Sequence, residues 1–240
     1  VADGPDGPRW VAKNGATFGL VGGVGASGTK HIPGKQLRVD VMASTGLYED
    51  GKNGIRRPGD PHLRVKEMDR DGVDLQVLCA TPVLFAYMRP AEQALQCARI
   101  FNDAALELCA RGKGRLHALC QVPLQNTDAA CRELSRCMQA GHVGVQIGNH
   151  VGDLDLDDAG IVKFLAHCAA EGAPVLVHPW DMLGGARTAR HMMGWTVSMP
   201  AETQLSIVAM ILGGAFDRLP KSLKICFAHG GGSFAFLLGR

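Results

Sequence analysis

The feature that most constrains the fold is a series of five short, almost continuous apolar segments. They lie at residues 73–80, 116–122, 143–147, 174–177 and 223–228. Each is too short for a helix, and runs of this kind are typical of parallel strands that helices cover on both faces. The sequence therefore predicts an α/β fold, and either a doubly wound sheet or a barrel satisfies the pattern.

The segments between the predicted strands are amphipathic and read as helices. They lie at residues 61–70, 91–111, 128–139, 157–170 and 202–216. Four of them are followed by a glycine, which commonly ends a helix. The resulting strand–helix units have the length of barrel units, and their strands end near Ala80, Val122, Gly148, His178 and His229.

The first 60 residues differ from the rest of the chain. Residues 19–34 are rich in glycine, and the motif G-x-G-x-x-G stands at residues 23–28. A dinucleotide site needs a helix to begin there, and Pro33 and Gly34 prevent one, so we interpret the motif as a flexible loop. We expect residues 1–60 to form a glycine-rich insertion or hairpin region and residues 61–240 to form the main α/β part of one domain.

Composition excludes several classes of function. The formal net charge is +2 with 20% charged residues, and no run of like charges indicates a nucleic-acid surface. No apolar stretch reaches the roughly 18 residues of a membrane span. The eight cysteines form no C-x-x-C pair, so we predict buried free thiols, which favour the reducing cytoplasm.

Two histidines mark the predicted catalytic edge. His178 follows the strand at 174–177 directly, and Pro179 ends that strand; His229 follows the next strand in the same way. The carboxyl ends of barrel strands form the active face, and a neutral imidazole there is a good zinc ligand. The pair favours a functional site over packing.

Two other interpretations of the histidines are weaker. The run from His229 to Gly232, followed by Ser233, resembles a serine-hydrolase motif, but too few residues follow to supply the acid and the histidine of a triad. The remaining histidines are dispersed, and we predict surface or capping roles for them. They are His117, His142, His150, His167 and His191.

Several motifs together resemble the 2-amino-3-carboxymuconate-6-semialdehyde decarboxylase family of the amidohydrolase superfamily. The match runs in order from Pro61 to Arg240. Its clearest parts are Ala80-Thr81-Pro82-Val83, Gly144-Val145-Gln146-Ile147-Gly148, His178-Pro179-Trp180-Asp181-Met182, Met199-Pro200-Ala201-Glu202-Thr203 and Phe227-Ala228-His229-Gly230-Gly231-Gly232.

The resemblance implies a (β/α)8 barrel of the TIM type, of which residues 61–240 would form a partial barrel, the catalytic part of the domain. It also implies one divalent metal ion, expected to be zinc, and no organic cofactor. His178 corresponds to the metal ligand on the fifth strand, and His229 to the catalytic base on the sixth. Arg38 matches a catalytic arginine, although Arg56 or Arg57 remains an alternative. Met182 and Trp195 correspond to substrate-binding residues. Arg240 corresponds to a substrate-binding arginine that reaches into the neighbouring subunit, which implies a homodimer.

The implied activity is the non-oxidative decarboxylation of 2-amino-3-carboxymuconate 6-semialdehyde, or of a close unsaturated carboxylate, in tryptophan (kynurenine) or aromatic-acid degradation. The enzyme would be a zinc-dependent carboxy-lyase, a lyase that binds neither nucleic acid nor membrane. No H-x-H motif occurs in the chain and only five strands are predicted, so we expect the first strand and the last two to lie outside these 240 residues. The alternatives are a metal-dependent hydrolase on the same barrel and an inactive binding or regulatory barrel.

Overall fold

The computed structural model describes residues 2–4, 7–11, 17–20, 60–188, 190–191 and 193–240. The chain divides into two compact units, Val1–Asp74 and Leu75–Arg240. The glycine-rich motif and the three candidate arginines Arg38, Arg56 and Arg57 lie outside the described residues. The predicted boundary at residue 60 therefore stays a prediction.

The described residues of the first unit form a small antiparallel sheet and one helix. Strands β1 (Ala2–Gly4), β2 (Gly7–Val11) and β3 (Thr17–Leu20) pair in that order. Helix α1 (Pro61–Asp71) begins where the Asp60 carboxylate accepts hydrogen bonds from the backbone N–H groups of its first turn. It ends at Gly72, whose φ of 67° is the left-handed conformation that glycine adopts without strain.

The second unit is built on five parallel strands, as the sequence predicts. They are β4 (Gln76–Leu78), β5 (Leu116–Ala118), β6 (Val145–Gly148), β9 (Val175–His178) and β10 (Ile225–Phe227). Ladders join β4 to β5 and β6 to β9 to β10, and a bridge between Cys120 and Val145 links the two groups. Each strand is therefore followed in space by the next of the series, without the reversal of a doubly wound sheet, and this order is that of a barrel wall.

A short antiparallel hairpin interrupts this series after β6. It consists of β7 (His150–Val151) and β8 (Leu154–Asp155). The helices that follow the strands are α2 (Ala91–Ala110), α3 (Thr127–Ala140), α4 (Ala159–Ala170), α5 (Met199–Leu212) and α6 (Ala215–Arg218). A 3-10 turn (Pro82–Leu84) precedes α2, and two helical turns (Ala228–Gly231 and Phe234–Leu237) end the chain.

The prediction of one helix over residues 202–216 is wrong at both ends. A π-helical segment (Gly194–Ser198) leads directly into α5, so the helical path begins earlier than predicted. It stops at Leu212, because Gly213 and Gly214 break it and Gly214 has a φ of 66°. The apolar pattern continues through Ala215 and Phe216, which hid the break in the sequence.

The core lies between one face of the sheet and the helices. Val145 and Val175 pack with Leu134, Phe164 and Leu165 in a fully buried cluster. The opposite face of β6, β9 and β10 carries the alternate residues, because successive strand side chains point to opposite faces. This second face ends at the carboxyl edge with His178.

A buried ionic cluster fastens α3 to α2. The Glu133 carboxylate has no solvent exposure and accepts hydrogen bonds from Arg136 at 2.7 Å and from Asn102 at 2.9 Å. Asn102 also binds the Gln121 backbone at 2.9 Å in both directions. The buried side-chain oxygens and nitrogen of Glu133 and Asn102 are therefore all paired, as stability requires.

Two predictions about single side chains need correction. All eight cysteines are free, as predicted, but Cys79 and Cys226 are exposed: Cys79 follows the last residue of β4, and Cys226 alternates in β10 with two residues that pack on the core. His142 is buried rather than at the surface, although its Nδ1 lies 3.2 Å from the Cys137 carbonyl and so helps to cap α3 as predicted.

Candidate active site

His178 is the last residue of β9 and is partly exposed at the carboxyl edge of the sheet. Its Nδ1 lies 2.7 Å from the carbonyl oxygen of Pro179. A carbonyl oxygen only accepts hydrogen bonds, so the ring proton is on Nδ1 and the Nε2 lone pair is left free. This is the tautomer in which a histidine binds a metal through Nε2.

His229 stands beside His178, in the helical turn that follows the neighbouring strand β10. The two rings lie with centroids 4.8 Å apart and planes at 72°. Partial burial of the His229 ring lowers its pKa, and the adjacent His178 lowers that pKa further. A neutral imidazole in this place can accept a proton, which is what a general base must do.

The backbone around His229 is unusual. His229 has a φ of 58°, and Gly230, Gly231 and Gly232 have φ values of 63°, 81° and 62°. A histidine in the left-handed region is strained, whereas the three glycines adopt it freely. The turn closes with a hydrogen bond of 3.1 Å from the Gly232 N–H to the His229 carbonyl, and this helps to fix the direction in which the imidazole projects from the turn.

Aromatic rings form one side of the site. Trp180 packs edge-on against Tyr87 with centroids 5.5 Å apart and lies 5.6 Å from the His150 ring. Both Trp180 and Tyr87 cover Gly148, the strand neighbour of His178, where a Cβ atom would lie 2.5 Å and 2.7 Å from their side chains. The lack of a side chain at Gly148 therefore allows the aromatic wall to approach the sheet.

A buried polar group holds the loop that follows His178. The Glu202 carboxylate of α5 accepts hydrogen bonds from the Leu183 N–H at 2.7 Å and from the Asn149 side-chain amide at 2.6 Å. The Asn149 amide oxygen accepts one from the Trp180 N–H at 3.4 Å. Asn149 is 2% exposed and Glu202 3%, so these bonds are shielded from water.

The other predicted residues are more scattered. Met182 lies in the loop after His178 and Trp195 in the π-helical segment, and both are partly buried. Arg240 is exposed after the last helical turn. Within the described residues, no three His, Cys, Asp or Glu side chains converge to hold a metal ion. His178 thus fits a metal site by its tautomer, and further ligands would have to come from outside the described residues.

Sequence reasoning missed the roles of Tyr87, Asn149 and Glu202. Glu202 belongs to the motif Met199-Pro200-Ala201-Glu202-Thr203, but a glutamate in the first turn of a helix usually faces solvent. Asn149 follows a strand end directly, which is the signal that could have identified it.

A sequence model of the amidohydrolase family matches residues 39–238, most of the chain. The chain belongs to the amidohydrolase family. Decarboxylases of this superfamily use a divalent metal, and this agrees with the position and tautomer of His178.

Several relatives of this amidohydrolase are decarboxylases. A 2-amino-3-carboxymuconate-6-semialdehyde decarboxylase of Dictyostelium discoideum is 43% identical over 75% of this chain and 50% of its own. A gamma-resorcylate decarboxylase of Rhizobium radiobacter is 28% identical over 74% of this chain and 57% of its own. The solved structure of 5-carboxyvanillate decarboxylase from Sphingomonas paucimobilis has a TM-score of 0.66 and 28% identity, and covers 84% of this chain and 66% of its own.

These similarities confirm the resemblance found in the motifs and the barrel fold, of which the described residues contain five strands. The chain spans about half the length of the first of these relatives. None of the helices in the described part of the amidohydrolase has the length and apolarity of a membrane span.

Proposed function

We propose that this amidohydrolase is a metal-dependent, non-oxidative decarboxylase. Its substrate would be 2-amino-3-carboxymuconate 6-semialdehyde or a closely related unsaturated carboxylate. The observation that carries the proposal is the pairing of His178, at the end of β9, with His229, in the turn just after β10, with ring centroids 4.8 Å apart. The identity of 43% to a decarboxylase of this substrate supports it over gamma-resorcylate, whose decarboxylase is 28% identical.

The two histidines would have separate roles. His178 would hold the metal through Nε2, because its Nδ1 is engaged with Pro179. When bound, a divalent metal lowers the pKa of a water ligand to about 7 and so makes a nucleophile available at neutral pH. His229 would accept the proton that this water loses, since the lowered pKa of His229 keeps its imidazole neutral.

Charged side chains would hold the substrate while a carbon–carbon bond breaks. Carbon dioxide leaves, a proton takes its place on the substrate carbon, and no electrons are transferred to an acceptor. Arginine suits this task because its guanidinium binds a carboxylate through two hydrogen bonds. We assign this role to Arg240 and Arg38, with Arg56 or Arg57 as alternatives to Arg38, and assign the walls of the substrate pocket to Met182 and Trp195.

Further parts of the proposal concern the metal and the setting of the enzyme. Zinc is the proposed ion, because an imidazole nitrogen at a strand end is one of its usual ligands. Arg240 would complete the site of a second copy, so the active enzyme would be a homodimer. The eight free cysteines support a reducing cytoplasmic setting, in which the enzyme would serve tryptophan degradation.

The test is to supply the full-length protein with the semialdehyde and measure carbon dioxide release, with gamma-resorcylate as the competing substrate. Faster carbon dioxide release from the semialdehyde than from gamma-resorcylate would support the proposal. This activity should be lost when a chelator removes the metal and restored by zinc. Release of acid from amide or lactone substrates without carbon dioxide would favour the hydrolase alternative. A metal-free protein with neither activity would favour the binding barrel.

A further inference from the structure

We infer that Glu202 and Asn149 are positioning residues that fix the tautomer and direction of His178. They would act through the peptide unit that joins Pro179 to Trp180. The inference deepens the proposed function and rests on its assignment of His178 as a metal ligand.

The connection runs through one rigid group. The Pro179 carbonyl oxygen accepts from His178 Nδ1 at 2.7 Å, and the Trp180 N–H donates to the Asn149 amide oxygen at 3.4 Å. This carbonyl and this N–H belong to the same planar peptide, so neither can turn without the other. Asn149 therefore sets the plane of the peptide that holds the imidazole.

The orientation of Asn149 is in turn set by Glu202. A carboxylate only accepts hydrogen bonds, so Asn149 must direct its NH2 group toward Glu202, which it reaches at 2.6 Å. This leaves the Asn149 oxygen for the Trp180 N–H. The second oxygen of Glu202 is occupied by the Leu183 N–H at 2.7 Å, which fastens the far end of the same loop.

Because these groups are buried, each hydrogen-bond donor among them must face an acceptor. With Glu202 only 3% exposed and Asn149 2%, water does not replace a bond that is lost. Side chains that support a metal-binding histidine in this way typically change metal affinity by about 10–100-fold when they are removed. Glu202 and Asn149 have these properties, and the side-chain hydrogen bonds described above join them to each other and to the loop after His178.

The polarity of the arrangement gives a sharp test. In Glu202→Gln, the new amide must face either Asn149 or the Leu183 N–H. If it faces the N–H, two donors meet; if it faces Asn149, that side chain must flip and present its own NH2 to the Trp180 N–H. This variant has almost the same shape as the native protein, yet it should weaken metal binding by about 10–100-fold.

The double variant Glu202→Gln with Asn149→Asp reverses both groups. The aspartate would accept from the glutamine amide and from the Trp180 N–H, while the glutamine oxygen would accept from the Leu183 N–H. Every bond is restored with the charge unchanged, so metal affinity should recover toward the native value. A residue that acted only through packing would show no such recovery.

The measurement is the dissociation constant for Zn²⁺, obtained on the full-length protein by competition with a chelating dye. Glu133→Gln is the matched control, because Glu133 is an equally buried carboxylate away from the site, and this variant should keep the native zinc affinity. Circular dichroism shows whether each variant is folded.

Native zinc affinity in Glu202→Gln, or a double variant no better than the single ones, would overturn the inference. Because zinc binding needs no turnover, tight zinc binding without decarboxylation would refute the proposed function and leave the positioning role of Glu202 and Asn149 intact. A native protein that binds no zinc would overturn both.

Discussion

Replacing Gly232 tests whether the turn after His229 is held as tightly as its geometry indicates. A Cβ atom there would overlap the Pro200 carbonyl oxygen and lie 2.9 Å from the Thr203 Cβ, at backbone angles of φ 62° and ψ −130°. Glycine is the residue that adopts these angles without strain. The strained backbone and the forced displacement of Pro200 together predict that Gly232→Ala destabilises the protein by about 2–6 kcal/mol.

Gly230→Ala is the control for backbone strain alone. Gly230 has a φ of 63° and ψ of 27°, and no atom lies within 4 Å of an added Cβ. This variant should lose only about 1–2 kcal/mol, the cost of the left-handed conformation. Urea unfolding of both variants measures the difference, and equal losses would refute the argument that Gly232 is required for close contact with Pro200.

Three further predictions concern single side chains. His178→Ala should reduce metal affinity by more than the roughly 100-fold limit of a supporting residue; stoichiometric metal in the purified variant would contradict this. His229→Ala should keep its metal and lose about 10²–10⁴-fold in kcat, whereas loss of metal would identify His229 as a ligand. Burial raises the pKa of Glu133, but hydrogen bonds from Arg136 and Asn102 outweigh it and hold that pKa below its usual value. The stability from Glu133 is therefore complete above the unfolded pKa of about 4.3 and is lost as pH falls through the lower folded value. Urea unfolding should accordingly show the advantage of the native protein over Glu133→Gln shrinking in acid; a constant advantage would contradict it.

The parallel strands could be predicted because their signal is local. The apolar runs at 143–147 and 174–177 are too short for helices and predict strands buried on both faces. Strands β6 and β9 lie there. The left-handed glycines at the ends of α1 and α3 could be predicted equally well, because glycine commonly ends a helix. The choice between a barrel and a doubly wound sheet could not be predicted from these patterns, because strand order depends on contacts between distant segments.

The candidate site was only partly predictable for the same reason. His178 and His229 follow strands, and parallel strands place their ends together. The left-handed His229 lies in a turn whose Gly232 fits closely against Pro200, and no local pattern reports this fit. The bond between Glu202 and Asn149 joins a helix start to a strand end, and its importance follows from burial rather than from either residue's own preferences.

The order of the strands has a consequence for synthesis on the ribosome. Since β4, β5, β6, β9 and β10 neighbour one another in chain order, each emerging strand can dock on the edge left by its predecessor. Chains emerge at about 5–20 residues per second, so the growing wall has time to order before its next part appears. His178 is in place before its partner is made, and the arrival of β10 and His229 completes the pair in one step.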